Sequence, residues 1–489
     1  MLSIINATIW SSIQRFGGLA ISFVSNIVLA RLLSPEDYGV VGFIMVFVGL
    51  ADVLIDGGLG NALIQKKEIN RNDISTVFTT NLLLSIALFV LLFFLAPFLE
   101  NYVNIENFGL FLRIEAVMIL LRALYVVHFS LLNREMDFQK IAIISLAAST
   151  LSTVIAISMA YTGLGVWSLI VRNLAIDFVS VVLYFIYCKI DFSLYISKVH
   201  LKSLFSYGFF VAISNLAETL YSNIVSFVLG KKFSVKELGY YNQAYALEQI
   251  PVYSVTSVLN QVIFPFLSKE QDDKKKMNAD MEKSLYIMSF LMYPLMSFLI
   301  FFAESIIVLL YSEKWLPSVP FFQILCVIGY VNFIYHLNRS VLKAVGHANV
   351  LFYTQIAVCA IGITLILVSI KFGIFAVVMS VSISAILGMI IVAFFSGPYI
   401  NLNLFKQTKC VFLNLIISLA TAAFIYWVVS CFNFTPLFQL ILSLLCYTVL
   451  YLFIHYFFHT HSFSLVKVIL ISYVNQKESN GEPGIPKGW

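Results

Sequence analysis

"RLLSPEDYGV", residues 31–40, stands between two long apolar runs, and "KKFSVKELGY", residues 231–240, repeats its form 200 residues later. The shared core is S-x-x-[D/E]-x-G, written Ser34-Pro35-Glu36-Asp37-Tyr38-Gly39 and Ser234-Val235-Lys236-Glu237-Leu238-Gly239. A Ser followed three residues later by an acid is a capping box: the hydroxyl accepts an N–H of the first helical turn and the carboxylate returns a bond to the Ser N–H. Pro35 suits the first helical position, where no N–H is needed. Each stretch therefore reads as a turn that closes one apolar helix and opens the next.

The surroundings of the turns fix the solvent. The chain has 489 residues, 60% hydrophobic and 11% charged, with 45 Phe, whereas soluble domains are roughly 25% charged. Apolar runs of about 20 residues recur, the length a helix needs to cross a hydrocarbon core. The reading is an all-α membrane protein with about 14 transmembrane helices, near 9–30, 39–64, 75–98, 108–131, 141–161, 165–188, 205–229, 240–267, 284–310, 319–342, 350–370, 373–396, 411–430 and 434–458. The first run, Ser11 to Ala30, carries Gln14 and Arg15 and no small-residue cleavage signature, so it reads as a retained span. With the N-terminus inside, 19 Lys and Arg fall in inside connections and 6 in outside ones. The positive-inside rule then places both termini in the cytoplasm. Lys231, Lys232 and Lys236, in an outside turn, run against the trend.

Further echoes extend the repeat. "NALIQ" at 61–65 faces "QVIFP" at 261–265, "LNREMDF" at 132–138 faces "LKAVGHA" at 342–348, and "GLGVW" at 163–167 faces "GIFAV" at 373–377. Two parallel six-helix lobes account for them, an N-terminal one over 1–200 and a C-terminal one over 201–400. Two additional transmembrane helices would occupy 401–460 and a cytoplasmic tail 461–489. Paired bundles of this kind enclose a substrate pathway near the bilayer midplane.

An ionisable group within a span is costly unless paired or hydrated, so each is a candidate site. The five basic residues left inside spans are all Arg: Arg15, Arg113, Arg122, Arg172 and Arg339. The planar guanidinium suits bidentate binding of phosphate or carboxylate, which makes these five the substrate-binding candidates. Arg122 falls near mid-membrane and Arg172 closer to the outer face, while Arg15 and Arg339 lie toward the cytoplasm, where snorkelling is the alternative. Asp52 and Asp56, four apart, share a helix face; Glu218 sits in a polar stripe with Ser214, Asn215 and Ser222. Those three acids are the candidates for ion coupling. Glu115 lies two turns before Arg122, Asp177 shares a face with Asn173, and Glu248 lies about nine residues into the eighth span. For any one acid, structural pairing between helices is the competing account.

No P-loop, G-x-S-x-G, H-E-x-x-H or nucleotide-sugar D-x-D pattern occurs, so the expectation is a membrane transporter and no enzyme. The six Cys are isolated and the seven His scattered, several at membrane edges. No cofactor and no metal site is expected.

"LARLLSPEDYGVVGF" followed by "ADVLIDGGLGNALIQKKE" resembles the first two spans of Wzx-type polysaccharide flippases, and "LNREMDFQKIAI" and "GLGVWSLI" resemble later segments of the same family. The likeness is specific over the first 200 residues, architectural beyond them, and greatest to the colanic-acid exporter branch. That family belongs to the superfamily that also holds the multidrug (MATE) exporters. The resemblance implies a MATE-like fold and export of undecaprenyl-diphosphate-linked oligosaccharide repeat units across the bacterial cytoplasmic (inner) membrane, for surface polysaccharide such as lipopolysaccharide O-antigen. It implies alternating access, often coupled to H⁺ or Na⁺. The implied partners are the lipid-linked oligosaccharide substrate, the coupling ion, membrane lipid and a polysaccharide polymerase; a monomer is expected, with no nucleic acid. The rival readings are a multidrug or cation antiporter of the same fold, for which an acid-dominated cavity would be expected, and a membrane polysaccharide polymerase, which would need a large outside loop.

Overall fold

The computed structural model describes residues 2–471 apart from 57–58, 67, 191–192, 260–262, 271–272, 433–434 and 469–470, and among them there is no strand. In chain order the helices are α1 (Leu2–Leu32), α2 (Pro35–Asp56), α3 (Leu59–Gln65), α4 (Arg71–Val103), α5 (Phe108–Glu115), α6 (Val117–Arg134), α7 (Phe138–Tyr161), α8 (Val166–Tyr187) and α9 (Lys198–Lys232). Then come α10 (Val235–Val258), α11 (Phe264–Lys269), α12 (Lys274–Phe301), α13 (Ala303–Tyr311), α14 (Val319–Ala344), α15 (Ala348–Ser369), α16 (Ile374–Ile400), α17 (Leu404–Ser430) and α18 (Pro436–Phe457).

Both S-x-x-[D/E] turns form the capping boxes that their spacing predicts. The Asp37 carboxylate accepts the Ser34 N–H at 2.8 Å and the Ser34 hydroxyl accepts the Asp37 N–H at 3.2 Å. Glu237 and Ser234 repeat the exchange at 3.0 and 3.1 Å. The glycine of the motif has a separate reason to be there. A Cβ on Gly39 would overlap the Val235 carbonyl oxygen, and one on Gly239 would overlap that of Pro35. The first turns of α2 and α10 therefore cross backbone to backbone, each glycine against the other helix's first residue. Lys236 spans the same crossing to Glu36 at 3.3 Å.

The chain divides into two compact units, 1–243 and 244–489. This cut falls later than the repeat boundary at 200, because α9 packs on α2, α3 and α4. In the first unit α7 lies between α1 and α8, α4 runs along α5 and α6, and α6 meets α8. Two of the family-like segments meet directly: Arg134 of "LNREMDF" donates to the carbonyls of Leu63 at 2.9 Å and Ile64 at 3.1 Å, capping α3, which contains "NALIQ". In the second unit α14 packs on α16, α12 on α14 and α17, and α17 on α18. Side-chain bonds join these helices where burial of apolar surface gives no drive in lipid. Asn338, Gln407 and Ser396 link α14, α17 and α16, and Asn414 binds α17 to Ser289 of α12 at 2.7 Å.

Among the described residues 11 helical segments are long and apolar enough to cross a membrane. They comprise α1, α2, α4, α7, α8, α12, the Glu313–Ala344 segment that contains α14, and α15 to α18. The protein is thus a multi-pass helical membrane protein.

A side chain at either motif glycine must force α2 and α10 apart. We predict that Gly39→Ala and Gly239→Ala each cost about 1–3 kcal/mol of stability by overpacking. The double variant should cost less than the sum, since one separation relieves both clashes. Thermal unfolding of the purified protein in detergent measures this; full additivity would mean that the crossing is not shared.

Candidate functional site

The polar side chains of the first unit converge on Arg122. It lies 14 residues from the start of α5, about 21 Å along α5 and α6 at 1.5 Å per residue. Its Nε donates to Asp177 of α8 at 3.0 Å and its Nη1 to Asp52 of α2. The Tyr125 hydroxyl, one turn further along α6, donates to the other oxygen of Asp177 at 3.0 Å. The Tyr125 ring in turn stacks on Tyr184 of α8, centroids 5.3 Å apart and nearly parallel. Asp177 is buried, Asp52 largely so, and the Arg122 side chain is 31% exposed. One guanidinium thus ties three helices together and is shared between two carboxylates.

One turn earlier along α8, Asn173 donates to Glu115 at 2.7 Å, and the second Glu115 oxygen is buried with no hydrogen-bond partner. The 173/177 face of α8 therefore meets the 115/122/125 face of α5 and α6. The pairing follows from spacing: residues four apart on one helix present two groups in line, and those seven apart on the other receive them.

Arg172 is the exception. It lies six residues into α8, about 9 Å from that helix end. Its Nε is buried without a hydrogen-bond partner, and among the described residues no carboxylate pairs with it. Its chain neighbours Leu169 and Ile170 belong to an apolar cluster with Leu29 of α1, Leu33 of the turn that follows and Val41 of α2, against which Tyr38 packs. Tyr38, from the opening motif, bonds Asn26 through its hydroxyl at 3.2 Å.

The other sequence candidates stand apart from Arg122. Arg113 is held to α4: its Nε donates to the Phe93 carbonyl at 3.1 Å and its guanidinium lies over the Phe93 ring at 4.6 Å. Arg339, in the second unit, bonds the Tyr335 hydroxyl at 2.7 Å and the Gln355 side chain. Arg15 is a half-buried residue of α1 and is not among the groups bonded to Arg122. The side chains of Asp56 and Glu218 lie outside the described residues. Tyr125 escaped the sequence reading, although its place three residues after Arg122, on the same helix face, was the available signal.

A family model described as "Polysaccharide biosynthesis protein" matches residues 28–320, more than half of the chain. The chain belongs to this polysaccharide biosynthesis family. It is 24% identical over 345 residues to the lipopolysaccharide biosynthesis protein WzxC of Escherichia coli (strain K12), covering 70% of each chain. The fold is similar to that of the lipid II flippase MurJ in its inward closed conformation, with a TM-score of 0.72, 19% identity, 93% of this chain and 100% of that one covered. It is also similar to an inward-facing MATE multidrug resistance transporter of the MOP superfamily, with a TM-score of 0.62, 16% identity, 82% of this chain and 99% of that one covered. The MATE-like fold that the resemblance implied is therefore the observed one.

Removing one partner of a buried pair leaves the other charge uncompensated, at a cost of about 3–5 kcal/mol. Arg122→Ala strands two acids, so it should lower the thermal midpoint of the purified protein sharply. Arg172→Gln strands none and should leave the midpoint unchanged or raised. The reverse order would mean that the two guanidiniums have each other's surroundings.

Proposed function

We propose that this chain is a flippase that carries undecaprenyl-diphosphate-linked oligosaccharide units from the inner to the outer leaflet of the bacterial cytoplasmic membrane, for surface polysaccharide synthesis. Membership of the polysaccharide biosynthesis family and the fold shared with a lipid II flippase support the class. Arg172 carries the substrate reading, because it is a cation within a membrane span with no carboxylate partner among the described residues. An uncompensated guanidinium in low dielectric is stabilised by an arriving anion, and its planar fork fits a phosphate oxygen pair. Arg122 already holds two acids, so a diphosphate there would have to displace them. In this reading Arg172 binds the anionic headgroup, Arg122 keeps the site in shape, and Arg113, Arg15 and Arg339 attract the headgroup along its route. Asp52, Asp56 and Glu218 remain the acids for a coupling H⁺ or Na⁺.

The same reading raises the spans to 14. Three further segments, α5 with α6, α9, and α10 with α11, join the 11 as spans in this reading. They carry Arg113, Glu115 and Arg122, then Glu218, then Gln243, Glu248 and Gln249. Helices that line a hydrated path need little lipid-facing surface, so their polarity marks them as interior spans. With them the lobes are six helices each, over 1–200 and 201–400, with the 401–460 pair added, the 461–489 tail following, and both termini in the cytoplasm. Lobe rocking about the 31–38 and 231–239 turns would give alternating access. A polysaccharide polymerase takes the product on the outer side, and the transporter acts as a monomer.

Complementation of a depleted strain tests this. Depletion should leave lipid-linked oligosaccharide on the cytoplasmic leaflet. Wild type should clear it, Arg172→Lys partly, and Arg172→Gln not at all, with equal protein in the membrane. Full export by Arg172→Gln would remove Arg172 from the mechanism. Normal surface glycan with new sensitivity to cationic drugs would favour the antiporter.

A further inference from the structure

The second unit holds an acid that this route leaves unused. Glu248 is on α10, 13 residues after Val235, about 20 Å along the helix and so deep in a hydrocarbon core about 30 Å thick. Its side chain is 0% exposed. One carboxyl oxygen, Oε2, accepts the Gln249 amide at 3.0 Å; the other, Oε1, has no hydrogen-bond partner. Among the described residues no Lys, Arg or His pairs with it, and the titratable group whose field it meets is the Cys326 thiol on α14.

An ionised carboxyl in such a place would carry a desolvation cost with nothing to offset it. A hard metal cation does not offset it either, since Na⁺-like ions need several oxygen ligands and the Gln249 neighbour presents a donor. A proton needs only the carboxyl itself. Three residues on, Pro251 lies inside α10 and lacks the N–H that would bond the Leu247 carbonyl. The turn around Glu248 is therefore the one where α10 bends at least cost, and bending is what changes access to a buried group.

We propose that Glu248 is an exchangeable proton-binding site of the second unit, filled in the state seen here and emptied when α10 bends at Pro251. The balance is one proton, added to the carboxylate from one aqueous side and released to the other. The proposal rests on the transporter reading for its purpose and on the surroundings of Glu248 for its chemistry.

The test begins with proton binding alone. Infrared difference spectra of the purified protein between low and high pH should show a protonated-carboxyl carbonyl band that titrates in wild type. The band should be missing in Glu248→Gln, a close isostere of the neutral acid, and shifted in Glu248→Asp. A band unchanged in Glu248→Gln overturns the proposal, and so does a Glu248 band that persists at every pH at which the protein stays folded. Proteoliposomes with undecaprenyl diphosphate bearing a fluorescent sugar then report transport. A pH gradient should accelerate wild type, and Glu248→Gln should lose that acceleration. If gradient response survives intact in Glu248→Gln, the site has no part in coupling and the proposal fails. If wild type moves no lipid under any gradient, the flippase reading fails, while a titrating Glu248 band still assigns the proton site.

Discussion

The first unit is organised by one guanidinium. Arg122 could not remain at mid-membrane alone, and its two bonds draw Asp52 of α2 and Asp177 of α8 onto α6. Each acid needs the cation as much as the cation needs them, because an unpaired charge in that dielectric would neutralise or pull the helix out of register. The Tyr125–Asp177 bond and the Asn173–Glu115 bond then fall into place along the same two faces. These bonds join α2, α5, α6 and α8, while α1, α7 and α8 meet by packing.

The turns and the repeat were legible in the sequence because their physics is local. A Ser and an acid three residues apart can do little else at a helix start, and both boxes form. The apolar runs were legible for the same reason, since length against bilayer thickness decides them. Partner choice was not. Asp52 and Asp177 were visible as acids within spans, but which acid meets which Arg depends on helix azimuth and neighbour order, which a single sequence does not encode. That is why Arg122 and Arg172 looked equivalent in sequence and stand in opposite electrostatic conditions in the structure.

The motif glycines show a second kind of blindness. In sequence Gly39 and Gly239 complete a helix-start pattern, and a glycine there reads as a mild loss of helix propensity. In the structure each is the point where one helix backbone meets the other's first carbonyl. The repeat does more than build the same turn twice: it places two copies of that turn against each other, so that the 200-residue echo becomes a contact.

Polarity of the helices separates two jobs that a membrane transporter has to perform. Lipid-facing helices such as α17 and α18 carry exposed Phe412, Phe424, Trp427 and Phe453, and hydropathy finds them easily. Charges sit on both kinds of helix: Asp52, Arg172 and Asp177 lie on α2 and α8, which are among the 11 apolar segments, and Arg122 and Glu248 on α6 and α10, which are not. Among those charges, compensation divides structure from chemistry. Arg122 is paired with two acids and holds helices together, whereas Arg172 and Glu248 lack counterions among the described residues. An unpaired cation can receive an anion and an unpaired acid a proton, and that chemistry is what sets Arg172 and Glu248 apart from Arg122.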